Sequence, residues 1–241
     1  MKRTKIEELQ MNQKISIRNE QKEDYRNVEE ITRKAFYNLY VPGCAEHYLV
    51  HIMRRHKDFL PELDFVIELD GHVIGNIMYT KAKLVDESGE EKEILTFGPV
   101  CVLPEYQRMG YGKMLMEYSF ERAAALGYDL IVIFGNPSNY VSRGFKSCKK
   151  YNICLENGAY PTAMMAKELK PDALDGRKWI YRDSPVMRID EQEAERFDEG
   201  FEKMEKKYQP SQEEFYIHLH STVQYGTGIF GRLPARTLKG R

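Results

Sequence analysis

Cysteine is scarce in this chain, which has four among 241 residues and no C-x-x-C pair. A disulfide scaffold, a zinc ribbon and a thioredoxin-type motif are therefore not predicted, and we expect no metal site. Long apolar runs are missing as well, since none approaches the roughly 20 residues that a membrane-spanning helix needs. The polar start, residues 1–13, has no apolar segment typical of a signal peptide. These features predict a cytoplasmic protein with free thiols and no membrane partner.

A charge excess of either sign is also lacking, because 36 lysines and arginines face 37 aspartates and glutamates. Such a balance argues against a partner that is bound mainly through its phosphates, so we expect no nucleic acid. It leaves room for a local phosphate site. The hydrophobic fraction of 42% and the charged fraction of 30% are those of ordinary globular proteins, and the length suits one large domain or one domain with an appendage.

The hydrophobic pattern predicts a fold of the α/β class. Asp70-Gly71 joins two alternating runs and is typical of a two-residue β-hairpin. The apolar runs at 94–102 and 130–134 flank the strongest helical pattern, which predicts a parallel strand pair with a right-handed crossover. The full order of elements predicts a mixed, mostly antiparallel central sheet flanked by helices. The apolar stripe of the central helix is formed by Tyr111, Met114, Leu115, Tyr118, Ala125 and Leu126.

The dipeptide Lys170-Pro171 predicts a boundary after the last strand of this sheet. We therefore divide the chain into a polar leader at 1–13, a main domain at 14–170 and an extension at 171–241. The extension is predicted to be mostly helical and to pack on the main domain.

Two helices are predicted within that extension. Residues 190–208 predict one long helix, because apolar residues recur on a single face. Ser211 with Glu214 predicts a capping box that begins a further helix through His220. The apolar face of the long helix, formed by Ala194, Phe197, Phe201, Met204 and Tyr208, is predicted to dock on the sheet domain.

The most informative stretch is the turn at residues 107–113, which leaves an apolar strand and opens the strongest helix. Gly110 and Gly112 let the backbone turn tightly and approach a ligand. The unpaired N–H groups and the positive dipole end of a helix start favour an anion. This turn is thus predicted to hold a phosphate or pyrophosphate, the alternative being a tight strand-to-helix turn without a ligand.

Two familiar phosphate-binding motifs do not fit the spacing of this turn. A Walker A loop would need glycine at position 107 and serine or threonine at 114, where the chain has Gln107 and Met114. A dinucleotide-binding fingerprint that starts at Gly110 would need glycine at 115, where the chain has Leu115. A nucleotide phosphotransferase is accordingly disfavoured.

At these residues the sequence resembles the GNAT superfamily of acetyl-CoA-dependent N-acetyltransferases. The family signature Q/R-x-x-G-x-G/A is matched by residues 107–112, and Val102 and Pro104 stand at the usual positions before it. The later run at residues 136–145 is a second match. The resemblance extends over residues 15–169 in the order of elements and implies the GNAT fold, in which the parallel strand pair is splayed.

The resemblance implies acetyl-CoA as co-substrate and a surface that would bind it. The pantetheine arm would run beside the central strand, where backbone groups of Val100, Cys101 and Val102 would bond its amides. Pro99 in that strand predicts a bulged or interrupted pairing, as a strand that parts from its neighbour needs. Asn136 would either bond the pantetheine or cap the short helix that follows. The pyrophosphate would rest on the turn, which comprises Gln107, Arg108, Met109, Gly110, Tyr111, Gly112 and Lys113.

Tyr140 occupies the position of the family tyrosine that protonates the leaving thiolate. Reference pKa values of about 10 for tyrosine and about 8.5 for a cysteine-like thiol make that proton transfer uphill by roughly 2 kcal/mol. Tyr140 would then only hydrogen-bond the developing thiolate. The remaining alternative is an aromatic ring that packs beside Phe145.

A base for the acceptor amine is expected near the start of the second helix, where the acceptor side of such folds lies. Glu46 and His47 are the candidates, and His51 shares a helix face with His47. The two histidines are spaced as in a zinc-binding helix, but Tyr48 stands where the required glutamate would be, and no third ligand is evident. A packing or surface role is the alternative to catalysis for both histidines.

The resemblance therefore implies an N-acetyltransferase that acts by direct attack of an amine on acetyl-CoA in a ternary complex. The alternative is a non-catalytic acyl-CoA-binding sensor or assembly module, which would keep the turn but need not keep Tyr140. Tyr37, Tyr40, His47 and Tyr48 predict an aromatic, mildly polar acceptor side that suits an amine of a small molecule or peptide. A homodimer is an open option.

Overall fold

The computed structural model describes residues 14–224, and over these residues the chain forms a nine-stranded sheet. The strands are β1 (Ile15–Asn19), β2 (Phe65–Leu69), β3 (His72–Asp86), β4 (Glu91–Val102), β5 (Leu130–Phe134), β6 (Lys146–Ser147), β7 (Ile153–Cys154), β8 (Met164–Glu168) and β9 (Trp179–Arg182). Their spatial order is β1-β2-β3-β4-β5-β8-β6, and β9 pairs with both β3 and β7. The predicted leader at 1–13 and residues 225–241 of the predicted extension lie outside the described residues.

Helices cover both faces of this sheet, because neighbouring residues of each strand point to opposite sides. Val66 of β2 packs with α1 and α2, whereas Phe65 and Ile67 pack with α3 on the other side. The helices are α1 (Tyr25–Phe36), α2 (Glu46–Met53), α3 (Tyr111–Ala125), α4 (Pro137–Tyr140), α5 (Glu191–Asp198) and α6 (Pro210–His220). No helix within residues 14–224 is long and apolar enough to cross a membrane.

The parallel strands β4 and β5 meet at one residue pair, Leu95 with Ile131, and then diverge. The antiparallel pairing of β3 with β4 continues further, to Gly75 opposite Val102. Its register shifts around Pro99, where the sequence predicts a bulge. A gap therefore opens between β4 and β5. This mixed sheet with one splayed parallel pair confirms the predicted fold class.

The predicted apolar stripe of α3 is only partly correct. Met114 and Leu126 are 41% and 49% exposed. Leu126 lies beyond the last helical residue, and Met114 lies on the side of the helix away from its buried residues. The residues that α3 does bury are Tyr111, Leu115, Met116, Ser119, Phe120 and Ala123.

The C-terminal region is more closely integrated with the sheet than a helical appendage would be. Strand β9 pairs with the end of β3, from Lys83 opposite Arg182 to Asp86 opposite Trp179. The chain after residue 170 therefore extends the same sheet.

The helix predicted over residues 190–208 is wrong in its second half, because α5 ends at Asp198. The backbone beyond it bonds to the region after α1 instead of to itself. Tyr37 donates a hydrogen bond to the Met204 carbonyl at 2.8 Å, and Asn38 donates one to the Glu205 carbonyl at 2.9 Å. These side-chain donors compete successfully with helix formation in a polar segment.

The predicted capping box at Ser211 is also wrong. Helix α6 begins at Pro210, a residue type favoured at the first helical position. The Ser211 hydroxyl donates to the Leu39 carbonyl at 2.8 Å, so it ties α6 to the segment after α1.

Candidate active site

The turn at residues 107–113 joins β4 to α3 and is exposed over most of its length. Arg108 and Gly110 adopt left-handed backbone conformations, with φ angles of 61° and 97°. Gly110 immediately precedes α3, and nothing lies within 4 Å of the position that a Cβ would take there. Glycine suits the backbone angle, and the open space leaves room for a ligand.

The end of β4 anchors this turn. Gln107 donates a hydrogen bond from Nε2 to the Val102 carbonyl at 2.9 Å. The N–H groups at the start of α3 have no acceptor within the helix, and the positive end of its dipole lies beside them. Arg108 and Lys113 are exposed and bring positive charge to the same stretch. These donors and cations fit a phosphate group, as the sequence predicts.

The next part of the predicted coenzyme surface is the end of β4. Val100, Cys101 and Val102 pair with β3 on one side, and no described strand lies against their other side. The Cys101 side chain is buried, with Sγ 3.5 Å from the Thr32 hydroxyl, and burial raises the pKa of its thiol to about 11. Cys101 is thus a packed thiol rather than a nucleophile. The free strand edge can bond an extended ligand.

Tyr140 ends α4, the short helix that follows β5. Asn136 caps this helix, since its Oδ1 accepts a hydrogen bond from the Ser138 N–H at 3.0 Å. The Tyr140 ring packs against Phe97 and Phe145, with ring centroids 6.0 and 5.7 Å apart. The ring is therefore held by packing, and the short helix that carries it is held by its cap.

The Tyr140 hydroxyl is a free donor. Burial, with the Tyr40 phenol nearby, raises the pKa of Tyr140 well above its ordinary value, so the hydroxyl is protonated at neutral pH. Within residues 14–224 it has no hydrogen-bond partner. The ring also lies over Gly135, where a Cβ would come within 2.5 Å of Tyr140 Cε2. Gly135 thus allows the phenol to lie at the end of β5.

Glu46 and Tyr40 lie close to one another, on the side predicted for the acceptor. Burial raises the pKa of the Glu46 carboxyl, whose Oε2 accepts a hydrogen bond from the Ala45 N–H at 3.0 Å. Burial and the Glu46 charge together raise the pKa of Tyr40 to about 12. Because the Tyr40 phenol in turn raises the pKa of Tyr140, the three side chains form one electrostatically connected group. The Tyr40 ring stacks on Phe215 of α6, with centroids 4.1 Å apart.

His47 lies in different surroundings from its neighbour Glu46. It is fully buried, its Nε2 is 3.1 Å from Asp198 Oδ1, and its ring packs against Phe197 and Phe201. Burial lowers the pKa of His47 to about 4, so the ring is neutral at neutral pH. The histidine predicted as a candidate base is thus enclosed by the C-terminal region, and its contacts are those of a packing residue.

His51 also contacts a carboxylate and Phe197, but its side chain is 36% exposed. Its Nδ1 is 2.9 Å from Glu29 Oε1, and its ring lies 4.6 Å from that of Phe197. Among the described residues, no group of three or more histidine, cysteine, aspartate or glutamate side chains is arranged to hold a metal ion.

Sequence patterns did not predict that Tyr40 lies near Glu46 and Tyr140. They also gave no role to Gly135. Tyr40 entered only as one of several aromatic residues on the acceptor side. A signal for Gly135 was available, because a glycine directly after a buried strand and shortly before a functional tyrosine marks a close approach.

Comparison with known proteins agrees with this geometry. Residues 28–146 match the model of the acetyltransferase (GNAT) family. The uncharacterized N-acetyltransferase YjhQ of Escherichia coli K12 is 26% identical over 127 residues, which are 53% of this chain and 67% of that protein. The uncharacterized N-acetyltransferase YhbS of the same strain is 27% identical over 154 residues, 64% of this chain and 86% of that one.

Solved structures share the fold. The crystal structure of Escherichia coli YhbS in complex with CoA has a TM-score of 0.62 at 23% identity and covers 72% of this chain and 91% of its own. A GNAT family acetyltransferase from Brucella melitensis in complex with acetyl-CoA has a TM-score of 0.57 at 23% identity, with coverages of 73% and 99%. The signature turn, the splayed strands and these relatives agree: the chain belongs to the GNAT superfamily and is a GNAT-type acetyltransferase.

Proposed function

We propose that the enzyme transfers an acetyl group from acetyl-CoA to a primary amine of a small molecule or peptide, by direct attack in a ternary complex. The observation that carries this proposal is the Tyr140 hydroxyl, which is protonated and has no hydrogen-bond partner within residues 14–224. The Tyr140 ring lies over Gly135, the residue that directly follows the splayed strand β5. A donor at that position suits the departure of a thiolate from the gap between β4 and β5.

The residues of the coenzyme side fit coenzyme A. Backbone N–H groups of residues 108–113 would hold the pyrophosphate, because the Gln107 N–H already bonds the Pro104 carbonyl at 3.3 Å. Arg108 and Lys113 would add positive charge. The free edge at Val100, Cys101 and Val102 would bond the pantetheine amides, with Asn136 close to the far end of the arm. Bound acetyl-CoA would supply an activated acetyl group as a thioester, and coenzyme A would leave as the free thiol.

The acceptor side would handle the protons. An alkyl ammonium group has an ordinary pKa near 10.4, so it must lose a proton before its nitrogen can attack. Glu46 is the proposed base, because burial raises its pKa toward the neutral range in which a base is most effective. A backbone N–H near Val100 to Val102 would stabilise the negative charge on the carbonyl oxygen. His47, being enclosed, is proposed to position α2 against α5.

The domain division at residue 170, the cytoplasmic location and the homodimer stay predictions. The contacts of β9 and α6 favour treating residues 171–224 as a working part of the catalytic domain, since Phe215 touches Tyr40.

A thiol-release assay with acetyl-CoA and a panel of amines tests the proposed function. The panel contains primary amines, amino acids and dipeptides, and a tertiary amine of similar size is the matched control because it has no N–H to lose. We expect amine-dependent thiol release, and an N-acetylated product by mass spectrometry, for at least one primary amine. Tight coenzyme A binding with no amine-dependent release would instead identify a non-catalytic sensor.

A further inference from the structure

A cavity of about 560 Å³ lies beside the splayed strands. Three separate parts of the chain line it: the end of β5, the loop after β7, and the segment from β9 onward. Its volume is that of a site for a small molecule. The lining includes the aromatic residues Phe134 and Tyr181 and the charged residues Glu156, Arg182, Asp183 and Arg188.

One wall of this cavity is the end of β5, close to the point at which β4 and β5 separate. Phe134 is the last residue of β5, beyond the single contact of that strand with β4. The Tyr181 ring lies 5.8 Å from the Phe134 ring, and the Tyr181 hydroxyl is close enough to Thr96 for that residue to affect its pKa. Thr96 directly follows Leu95, at which the two strands meet. The cavity therefore borders the end of β5, next to Gly135, over which the Tyr140 ring lies.

The cavity lies on the face of the sheet away from the coenzyme turn. Leu95 and Phe97 pack on the α3 side, so Thr96 between them points to the α1 and α2 side. The segment that carries Arg188 packs on that same side, because Met187 and Ile189 contact the core under α1 and α2. A second substrate that enters here would meet the coenzyme across the sheet.

Within residues 14–224, some charged side chains at the cavity have hydrogen-bond or ion-pair partners and one does not. Arg182 is paired with Glu156 at 2.8 Å. Asp183 accepts hydrogen bonds from the Tyr181 hydroxyl at 3.1 Å and from the Ser184 N–H at 2.9 Å. Over residues 14–224, the Arg188 guanidinium has neither a hydrogen bond nor an ion pair. Its charge still acts on the two carboxyls at the cavity, because Arg188 adds to the lowering of the pKa of Glu156 by Arg182 and counteracts the rise that burial causes in the pKa of Asp183. Within the described residues, the N–H donors of the Arg188 guanidinium are nevertheless left without a direct acceptor.

Hydrogen bonds hold the backbone of the segment that carries Arg188, whose side chain is exposed. The Arg188 N–H bonds the Pro185 carbonyl at 3.1 Å, and the Ser184 hydroxyl donates to Asp58 Oδ2 at 2.8 Å. A guanidinium on a fixed segment presents a planar pair of donors that matches a carboxylate.

We propose that the acceptor is an amine that also carries a carboxylate, and that Arg188 binds this carboxylate in the cavity. The inference rests on the proposed acetyl transfer. With Arg182 and Arg188 opposed by Glu156 and Asp183, the formal charge of the lining is balanced, which suits a zwitterion of the amino acid type. A phosphate dianion is disfavoured, because the two carboxylates at the same cavity would repel its second charge. Phe134 and Tyr181 offer an apolar surface to the rest of the molecule.

The decisive experiment compares free L-amino acids with their matched amides, which differ only in the carboxylate. Binding is measured first, by ligand-observed NMR on protein saturated with coenzyme A, a complex in which no acetyl transfer takes place. We expect at least one amino acid to bind about 10-fold or more tightly than its amide, as a charge-assisted pair provides. In Arg188→Gln this preference should fall to within about 2-fold. Arg196→Gln, an exposed arginine of α5 outside the cavity, is the matched control and should keep the preference.

Thiol release with the same probe pairs is the second measurement. Arg188→Gln should raise KM for the preferred amino acid about 10- to 100-fold with little change in kcat, and should leave coenzyme A affinity unchanged. O-Phosphoethanolamine against ethanolamine tests the phosphate source, and a stronger, Arg188-dependent preference for that pair would overturn the carboxylate assignment.

Other results separate this inference from the proposed function. Equal binding of every amino acid and its amide to the wild-type protein overturns the inference, even if amines are acetylated. A preference that survives in Arg188→Gln overturns it as well, and so does a loss of coenzyme A affinity in that variant. An Arg188-dependent preference in binding without any thiol release upholds the carboxylate site and removes the proposed function instead.

Discussion

The two sides of the candidate active site are built in different ways. The proposed pyrophosphate site is one continuous stretch, residues 107–113, whose shape follows from local backbone angles at Arg108 and Gly110. The acceptor side is assembled from regions far apart in the sequence, so that Tyr40 meets Phe215 of α6. Under the proposed function, the co-substrate would therefore be recognised by a short local motif, whereas the acceptor would be selected by long-range packing.

The largest effect is expected from a variant that damages only the proposed pyrophosphate site. Gly110→Glu places a charged side chain in a left-handed position at the helix start, where an anion is expected. We predict a loss of coenzyme A affinity of about 100-fold or more, measured by calorimetry. Gly89→Glu is the control, because Gly89 has a similar φ of 89° and equally open surroundings in the β3–β4 hairpin. Equal affinities of the two variants would show that the turn does not hold the coenzyme.

The next variant acts on the acceptor side. Glu46→Gln removes the proposed base but keeps its size, so we predict a fall in kcat/KM of about 100-fold or more with coenzyme affinity retained. In the wild type, activity should fall as the pH drops through the raised pKa of Glu46, because the protonated carboxyl cannot accept a proton. That acidic limb, which lies above the usual carboxylate range, should be absent from the variant. Glu193→Gln, which removes the acceptor of the exposed Tyr48 hydroxyl, should retain both the rate and the limb.

A smaller effect is expected from moving Tyr140 without changing it. In Gly135→Ala the new Cβ would meet Tyr140 Cε2 at 2.5 Å, so the ring must shift. We predict a fall in kcat of about 10- to 100-fold, since displacement of a reacting group by about 1 Å has such effects. The control is Gly200→Ala, whose Cβ would meet the Phe197 carbonyl oxygen at 3.4 Å. Wild-type kcat in Gly135→Ala would argue against a precise position for Tyr140.

The smallest effect on catalysis is expected from disturbing the packing of α2 against α5. This packing should instead be visible in how the free energy of unfolding depends on pH. The folded-state pKa of His47, about 4, lies below its ordinary value of about 6.5. The stability that depends on a neutral His47 is then fully present above about pH 6.5. It is lost as the pH falls toward 4, because the unfolded state binds the proton more readily. The loss should amount to a few kcal/mol, at about 1.4 kcal/mol per pKa unit.

Urea unfolding between pH 7 and pH 4 measures the slope of the free energy of unfolding against pH. The slope should be much reduced in His47→Asn, which cannot titrate in this range, and unchanged in His72→Asn, a variant of an exposed histidine at the start of β3. An unaltered slope in His47→Asn would mean that the contact of α2 with α5 does not depend on a neutral His47.

The sequence predicted the parts of the fold that depend on local patterns. Asp70-Gly71 indicated the hairpin, and the apolar runs around α3 indicated the parallel pair, because strand and helix periodicities are visible in a short window. Pro99 marked the register shift of β4 because proline removes a ladder donor. The same locality made the turn at residues 107–113 recognisable.

Local sequence patterns did not predict the structure of the C-terminal region. The apolar spacing through Met204 and Tyr208 predicted a continued helix, but Tyr37 and Asn38 supply hydrogen bonds to that backbone from a distant part of the chain. His47 was likewise grouped with Glu46 by sequence proximity, although packing against Asp198 gives it a different environment. Tertiary contacts override local preference in both cases.

The central claim is that the acceptor reacts where the two sides meet, at Tyr140. Tyr140→Phe removes the hydroxyl and keeps the ring that packs on Phe97 and Phe145. The most direct test is therefore kcat for thiol release at saturating acetyl-CoA and amine in this variant, with coenzyme A affinity measured alongside. The account predicts a kcat about 10- to 100-fold lower at an affinity within about 2-fold of the wild type. An unchanged kcat would contradict it.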